Sequence, residues 1–118
     1  MDTAIETKTR EAVIGATMQS YRLAGYEVVC RRVEDSHSPT FVVPRLKRLE
    51  RIETEDSISR VEVAELQQDR ATGLEVWLVV PLKQIGEAHG RFRGVADRLQ
   101  AWWVGPGEKI CFGEPRIP

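Results

Sequence analysis

Apolar and small residues recur at helical spacing early in the chain, at Ile5, Ala12, Ala16 and Leu23, with Val13 and Ser20 alongside. That period predicts a helix over residues 3–24 with one buried stripe. Thr3 and Glu6 have the Thr-x-x-Glu spacing of a capping box at its start, and Gly25 suits the left-handed position that closes it. Tyr26 to Val33 alternates and predicts a strand, followed by a turn from Asp35 to Pro39. Phe41 to Val43 is a short apolar run ended by Pro44. Residues 45–52 leave two readings open: Leu46, Leu49 and Ile52 fit a helical turn or two after Pro44, and an extended edge strand competes. Glu53 to Ser57 is an acidic loop. Ile58 to Leu66, with Val61 and Val63 alternating against Arg60, Glu62 and Ala64, predicts a further strand. Leu74 to Val80 is apolar on both faces, the pattern of a central strand covered on two sides, and Pro81 ends its pairing. Ile85, Ala88, Phe92, Val95, Leu99 and Trp102 predict a second amphipathic helix over 85–103. Gly105-Pro106-Gly107 stops it, and Lys109 to Phe112 reads as a last short strand before an irregular tail.

Setting residues 36–57 aside, the predicted order is α-β-β-β-α-β, an α/β class with a mixed central sheet flanked by two helices, in one domain spanning residues 1–118. Three stretches carry a resemblance: Leu23-Ala24-Gly25-Tyr26-Glu27-Val28-Val29 as a helix exit into a first strand, Val61-Glu62-Val63-Ala64, and Leu74 to Val80. In these the chain resembles the restriction-endonuclease-like, or PD-(D/E)xK, superfamily, most closely its small archaeal Holliday-junction-resolvase branch. The resemblance implies a strand bearing a first metal-binding acid, with Glu62 in that place. It also implies a third strand ending in an acid and a lysine two residues apart. In that family the acid binds Mg²⁺ and the lysine orients or activates the attacking water. Here the corresponding residues are Val79-Val80-Pro81-Leu82, with no carboxylate. Glu6-Thr7-Lys8 has the acid-x-lysine spacing but sits at a helix start, where it serves capping. Lys83 stands close to the missing lysine's place, and Glu65 and Glu75 are the nearest acids. The resemblance therefore implies a nuclease-like scaffold with a degenerate site.

Composition narrows the remaining classes. The chain has 118 residues, long enough for a core that needs no disulfide or metal. A formal net charge of −1 gives no single-sign field toward nucleic acid or membrane. Cys30 and Cys111 are too few for a secreted disulfide scaffold and are expected to be reduced, half-buried thiols. The start of the chain lacks a signal-peptide pattern, and no apolar run reaches membrane-spanning length, so the expected location is cytoplasmic. His37 and His89 fall in separate elements; Asp35-x-His37 alone falls short of the three or four ligands a zinc site needs.

Two surfaces stand out. Arg45, Lys47, Arg48 and Arg51 place four cations in seven residues, a candidate phosphate-contacting patch. Arg91, Arg93 and Arg98 add charge further along, while Glu50, Glu53 and Glu55 interleave with or follow the cluster. Gly86, Gly90 and Gly94 repeat on one line of the second helix at roughly 1 kcal/mol each relative to alanine, which with Trp103 marks a candidate homodimer face. Three functional readings follow. The first is a non-catalytic interaction module contacting nucleic acid. The second is a metal-dependent DNA nuclease with migrated residues (Glu62, Glu65, Glu75 and Lys83) using Mg²⁺ or Mn²⁺. The third is a small-molecule-binding α/β domain.

Overall fold

The computed structural model describes residues 4–31 and 40–118. The capping-box residue Thr3 and the Asp35–His37 pair lie outside the described residues. Helix α1 (Ala4–Leu23) closes where Gly25 adopts φ +88°. There the amide of Tyr26 bonds back to the carbonyl of Tyr21 at 3.0 Å. That closure carries the chain through Tyr26–Val28 without ladder pairing, so strand β1 (Val29–Arg31) begins at Val29 and not at Tyr26, and residues 32 and 33 of the expected run lie outside the described residues.

Residues 40–52 form a hairpin. Strand β2 (Thr40–Val43) leads into one 3-10 turn (Pro44–Leu46), and Lys47 at φ +50° reverses the chain into β3 (Arg48–Ile52). The extended reading of 45–52 therefore holds for β3, but at the centre of the sheet and not at its edge. The spacing of Leu46, Leu49 and Ile52 mimics a helix because Leu49 and Ile52 face opposite sides of a strand buried on both.

The next two expectations are corrected. Residues 58–66 are not a strand. A 3-10 turn (Ile58–Arg60) runs into helix α2 (Val63–Ala71), and Ile58, Val61 and Leu66 point into the core from its turns. The predicted helix over 85–103 is three things. After β4 (Glu75–Pro81) and a 3-10 turn (Leu82–Gln84), α3 covers only Ile85–Arg91. Gly94 at φ +75° then turns the chain, and Arg98–Val104 is strand β5. Leu99 and Trp102 satisfy helical spacing by coincidence: on the strand they face opposite sides of the sheet, each buried. Strand β6 (Ile110–Phe112) follows, and Arg116 bridges back to Leu99.

The sheet runs β1-β2-β3-β4-β5-β6, antiparallel at both ends and parallel across β3, β4 and β5. The two parallel steps need crossovers, and α2 and α3 supply them on one face. Their Leu66, Ala88 and Phe92 pack on Leu49, Val76, Leu78, Val80 and Leu99. Helix α1 covers the other face, where Val13 meets Phe41, Ile52, Val79 and Trp102. The fold is α/β in three layers, with β4 the central strand its two apolar faces predict. No helix among the described residues is long and apolar enough to cross a membrane.

Candidate functional site

Strand β3 carries charge into both cores. Its side chains alternate, so Arg51 and then Glu53 face the α2 side while Glu50 faces α1. Arg51 is 4% exposed and Glu53 fully buried. Beside Arg51 on β2 stands Thr40, its partner in the ladder. The Arg51 guanidinium meets two carboxylates: Nη1 donates to Glu65 Oε2 at 2.9 Å, and Nε lies 3.5 Å from Glu53 Oε1. The other Glu53 oxygen accepts a 2.6 Å bond from Ser57 Oγ.

Backbone and loop fix this group in place. The Glu53 amide donates to Val79 O at 2.9 Å, and its carbonyl accepts from Trp102 Nε1 at 2.9 Å, tying the strand end to β4 and β5. Thr54 and Ser57 bond reciprocally, Thr54 N to Ser57 Oγ at 2.8 Å and Ser57 N to Thr54 Oγ1 at 3.2 Å. Such hydroxyl-to-amide bonds satisfy a turn that side chains must cap. Arg10 reaches in from α1, with Nη2 at 3.4 Å from Thr54 Oγ1. The result is a buried polar knot in which each charge opposes another, as burial requires.

Just outside it, a cleft of about 850 Å³ opens at the carboxyl ends of β3, β4 and β5. Pro81, Leu82, Trp102 and Val104 give it an apolar lining, and Thr9, Glu55 and Lys83 are among its polar residues. Clefts at strand carboxyl ends are the usual ligand position in open α/β sheets.

On the α1 side, Glu50 is 1% exposed. The Tyr21 hydroxyl hydrogen-bonds to it and accepts a 3.0 Å bond from Arg48 Nη1. Burial raises the Glu50 carboxyl to about 7, against the opposing pull of the Tyr21 hydrogen bond and the Arg48 charge. Burial and the adjacent Glu50 push the Tyr21 phenol above its ordinary value.

The four candidate catalytic residues are dispersed. Glu62 is an exposed residue at the N-cap of α2 and makes no side-chain cap bond. Glu65, one turn on, joins the Arg51 knot. Glu75 begins β4, accepting from Trp77 Nε1 and lying 3.7 Å from Arg48 Nε. Lys83 follows the opposite end of β4, 86% exposed and 3.9 Å from Glu55. Glu75 and Lys83 are thus separated by the length of the strand. No three His, Cys, Asp or Glu side chains among the described residues are grouped to hold a metal ion.

The four-cation patch divides. Arg45 and Lys47 are exposed on the β2–β3 turn. Arg48 sits over Trp77, its guanidinium carbon 3.8 Å from the ring centroid, and Arg51 is interior. The glycine line is also broken: Gly86 and Gly90 lie on α3 with open space beside them, Gly94 is in the following turn, and Trp103 is on β5 with its ring against Gly113. Cys30 is exposed, against the half-burial expected, Cys111 is partly covered, and both are free.

Sequence reasoning assigned Arg51 to an exposed cationic patch and Glu50 and Glu53 to its neighbours, and missed that all three are buried, although Leu49 and Ile52 around Glu50 and Arg51 were a signal. Charges between two large apolar residues in a strand-length run must be buried if the run is central. In comparisons with family models, curated proteins and solved structures, the chain matched none of them.

Proposed function

We propose that this chain is a non-catalytic interaction module on a restriction-endonuclease-like scaffold, contacting nucleic acid through the β2–β3 turn. The observation that carries the reading is the end of β3. Residues 4–81 run α-β-β-β-α-β, and in the family resembled the third strand ends in an acid and a lysine two residues apart. Here that strand ends at Ile52, and Arg51-Ile52-Glu53 across its end has the same spacing with the charges reversed. A guanidinium has no lone pair to offer a metal, and as a cation in the acid's place it repels one. Thr40, paired with Arg51 on the second strand, is a neutral residue where the resemblance puts the first acid. With Glu53 held by Arg51 and Ser57, the reversed pair is an internal salt bridge and not a water-activating site. On this reading the strand-end position falls at Arg51–Glu53 and the first-acid position at Thr40, in place of the Val79–Leu82 and Glu62 positions taken from sequence.

Arg45 and Lys47 supply the phosphate contacts, because they are the cluster's exposed members. The test is Mn²⁺ binding followed by the EPR signal of the free ion, together with cleavage of branched duplex DNA in Mg²⁺ or Mn²⁺. The native chain should leave both unchanged. The Thr40→Asp/Arg51→Glu/Glu53→Lys triple variant, which restores the family's charge order, should deplete free Mn²⁺. Metal-dependent cleavage by the native chain, lost in Glu65→Gln or Lys83→Ala, would instead establish the nuclease with migrated residues.

A second reading, small-molecule binding, is favoured by the cleft at the β3–β5 ends, whose volume falls within the usual range for ligand pockets, about 300–1,000 Å³.

A further inference from the structure

Among the described side chains of helix α1, Arg10 reaches Thr54 near the start and a short apolar stripe meets the sheet. Among its described residues only Val13 and Thr17 are buried; Ile14, Met18 and Tyr21 are half-covered. Thr17 spends its hydroxyl on the Val13 carbonyl of its own helix. Tyr21 therefore anchors the last turn, edge-on to Phe41 and Tyr26, with its hydroxyl between Arg48 and Glu50.

Glu50 lies beneath that anchor in an apolar frame. Its ladder partners are Phe41 on β2 and Trp77 on β4. One carboxylate oxygen, Oε2, has no hydrogen-bond partner among the described residues. The groups facing it are the Tyr21 hydroxyl from α1, the Arg48 guanidinium from its own strand and, through Arg48, the Glu75 carboxylate from β4; Phe41 on β2 brings no charge. Arg48 is the one cation in this set, shared with Tyr21, Glu75 and the Trp77 ring. A carboxylate there is 1% exposed, with the Tyr21 hydroxyl and the Arg48 charge as its partners. Burial favours its neutral acid over its anion there, against the smaller pull of Tyr21 and Arg48.

We propose that Glu50 is a proton-operated latch on α1: protonated, it lets the helix seat on the sheet, and ionised, it releases the helix. Lifting α1 hydrates the carboxyl and returns it to its ordinary value of 4.5 from about 7 in the seated state. The seated state thus binds more protons than the released one between these values. Its advantage is complete below about pH 4.5, declines as pH rises through 7, and is lost above. Release uncovers an apolar face of Phe41, Ile52, Val79 and Trp102, so the latch governs a surface as well as a helix. The inference does not rest on the scaffold reading above.

Amide hydrogen exchange, corrected for the intrinsic pH dependence, tests it. From about pH 5 to about pH 8.5 the amides of residues 13–23 should lose protection by about tenfold or more, while those of Val76–Val80 hold theirs. Glu50→Gln should abolish the change. The Glu50 carboxyl carbon, followed by NMR in the native chain, should titrate with the same midpoint as the loss of protection, which keeps the test decisive if the variant does not fold. Protection of α1 that ignores pH overturns the latch. So does parallel loss in β4, which would mean global unfolding, or a Glu50 midpoint near 4.5.

Discussion

Arg51 and Glu53 sit two residues apart on one side of β3, so alternation delivers a cation and an anion to the same buried layer. The pair persists because each charge has a second tie: Arg51 to Glu65, Glu53 to Ser57. Burying two charges is expensive, and their attraction roughly offsets the desolvation; removing one partner leaves the penalty uncompensated. Glu53→Leu is expected to cost about 3 kcal/mol in urea unfolding. The double variant Arg51→Met/Glu53→Leu removes both charges and should be more stable than that single variant by about 2 kcal/mol. If the double variant is instead the less stable of the two, Arg51 is compensated by Glu65 alone and the argument that it needs Glu53 fails. Thr54 and Ser57 are unchanged in both proteins, which differ only at Arg51, so the comparison weighs the buried guanidinium together with its 2.9 Å bond to Glu65.

At the level of elements, legibility followed how many meanings a spacing allowed. Helix α1 was readable because its stripe and terminal Gly25 agree, and β4 because a two-faced apolar run of seven residues leaves little else. Residues 85–103 misled because an apolar residue every three or four positions also fits a short helix, a turn and a strand buried on both faces. The deciding residue is Gly94, which reads as an ordinary helix-weakening glycine until its φ of +75° shows that it makes the turn. The same ambiguity hid α2 (Val63–Ala71), because Val61 and Val63, alternating against Arg60, Glu62 and Ala64, look like a strand when Leu66 is taken as its end. The Arg51–Glu53 pair was illegible for a related cause: only the parallel pairing of β3 with β4 makes that strand central, and nothing local announces a neighbour more than twenty residues on. Gly94 offers a direct check. Open space surrounds it, so Gly94→Ala meets no clash and tests the backbone alone. It should destabilise by about 1 kcal/mol, lowering Tm by about 4 °C. In a continuous helix the same change would stabilise by a similar amount.

At the scale of the whole molecule, folding sorts charges that look equivalent in the sequence. Of four cations in seven residues, Arg51 is drawn inside by its place on β3 and Arg48 is laid over Trp77, leaving Arg45 and Lys47 on the turn between β2 and β3. A phosphate-contacting face built on two side chains has a quantitative signature. Each neutralised phosphate releases condensed counterions, so log K against log salt should have a slope of about −2 on duplex DNA. A patch of four would give about −4. Fluorescence anisotropy of a labelled duplex, titrated from about 20 to about 200 mM salt, distinguishes the two. Arg45→Glu/Lys47→Glu should abolish retention even at the lowest salt. Lys109→Glu, next to β6 at the far edge of the sheet, should leave the slope unchanged. A slope near −4, or one that survives the double reversal, would place the contact elsewhere and require Arg48 or Arg51 to leave its partners. No retention by the native chain would leave the scaffold without nucleic acid as its partner, and the cleft beyond β3, β4 and β5 would become the surface to pursue.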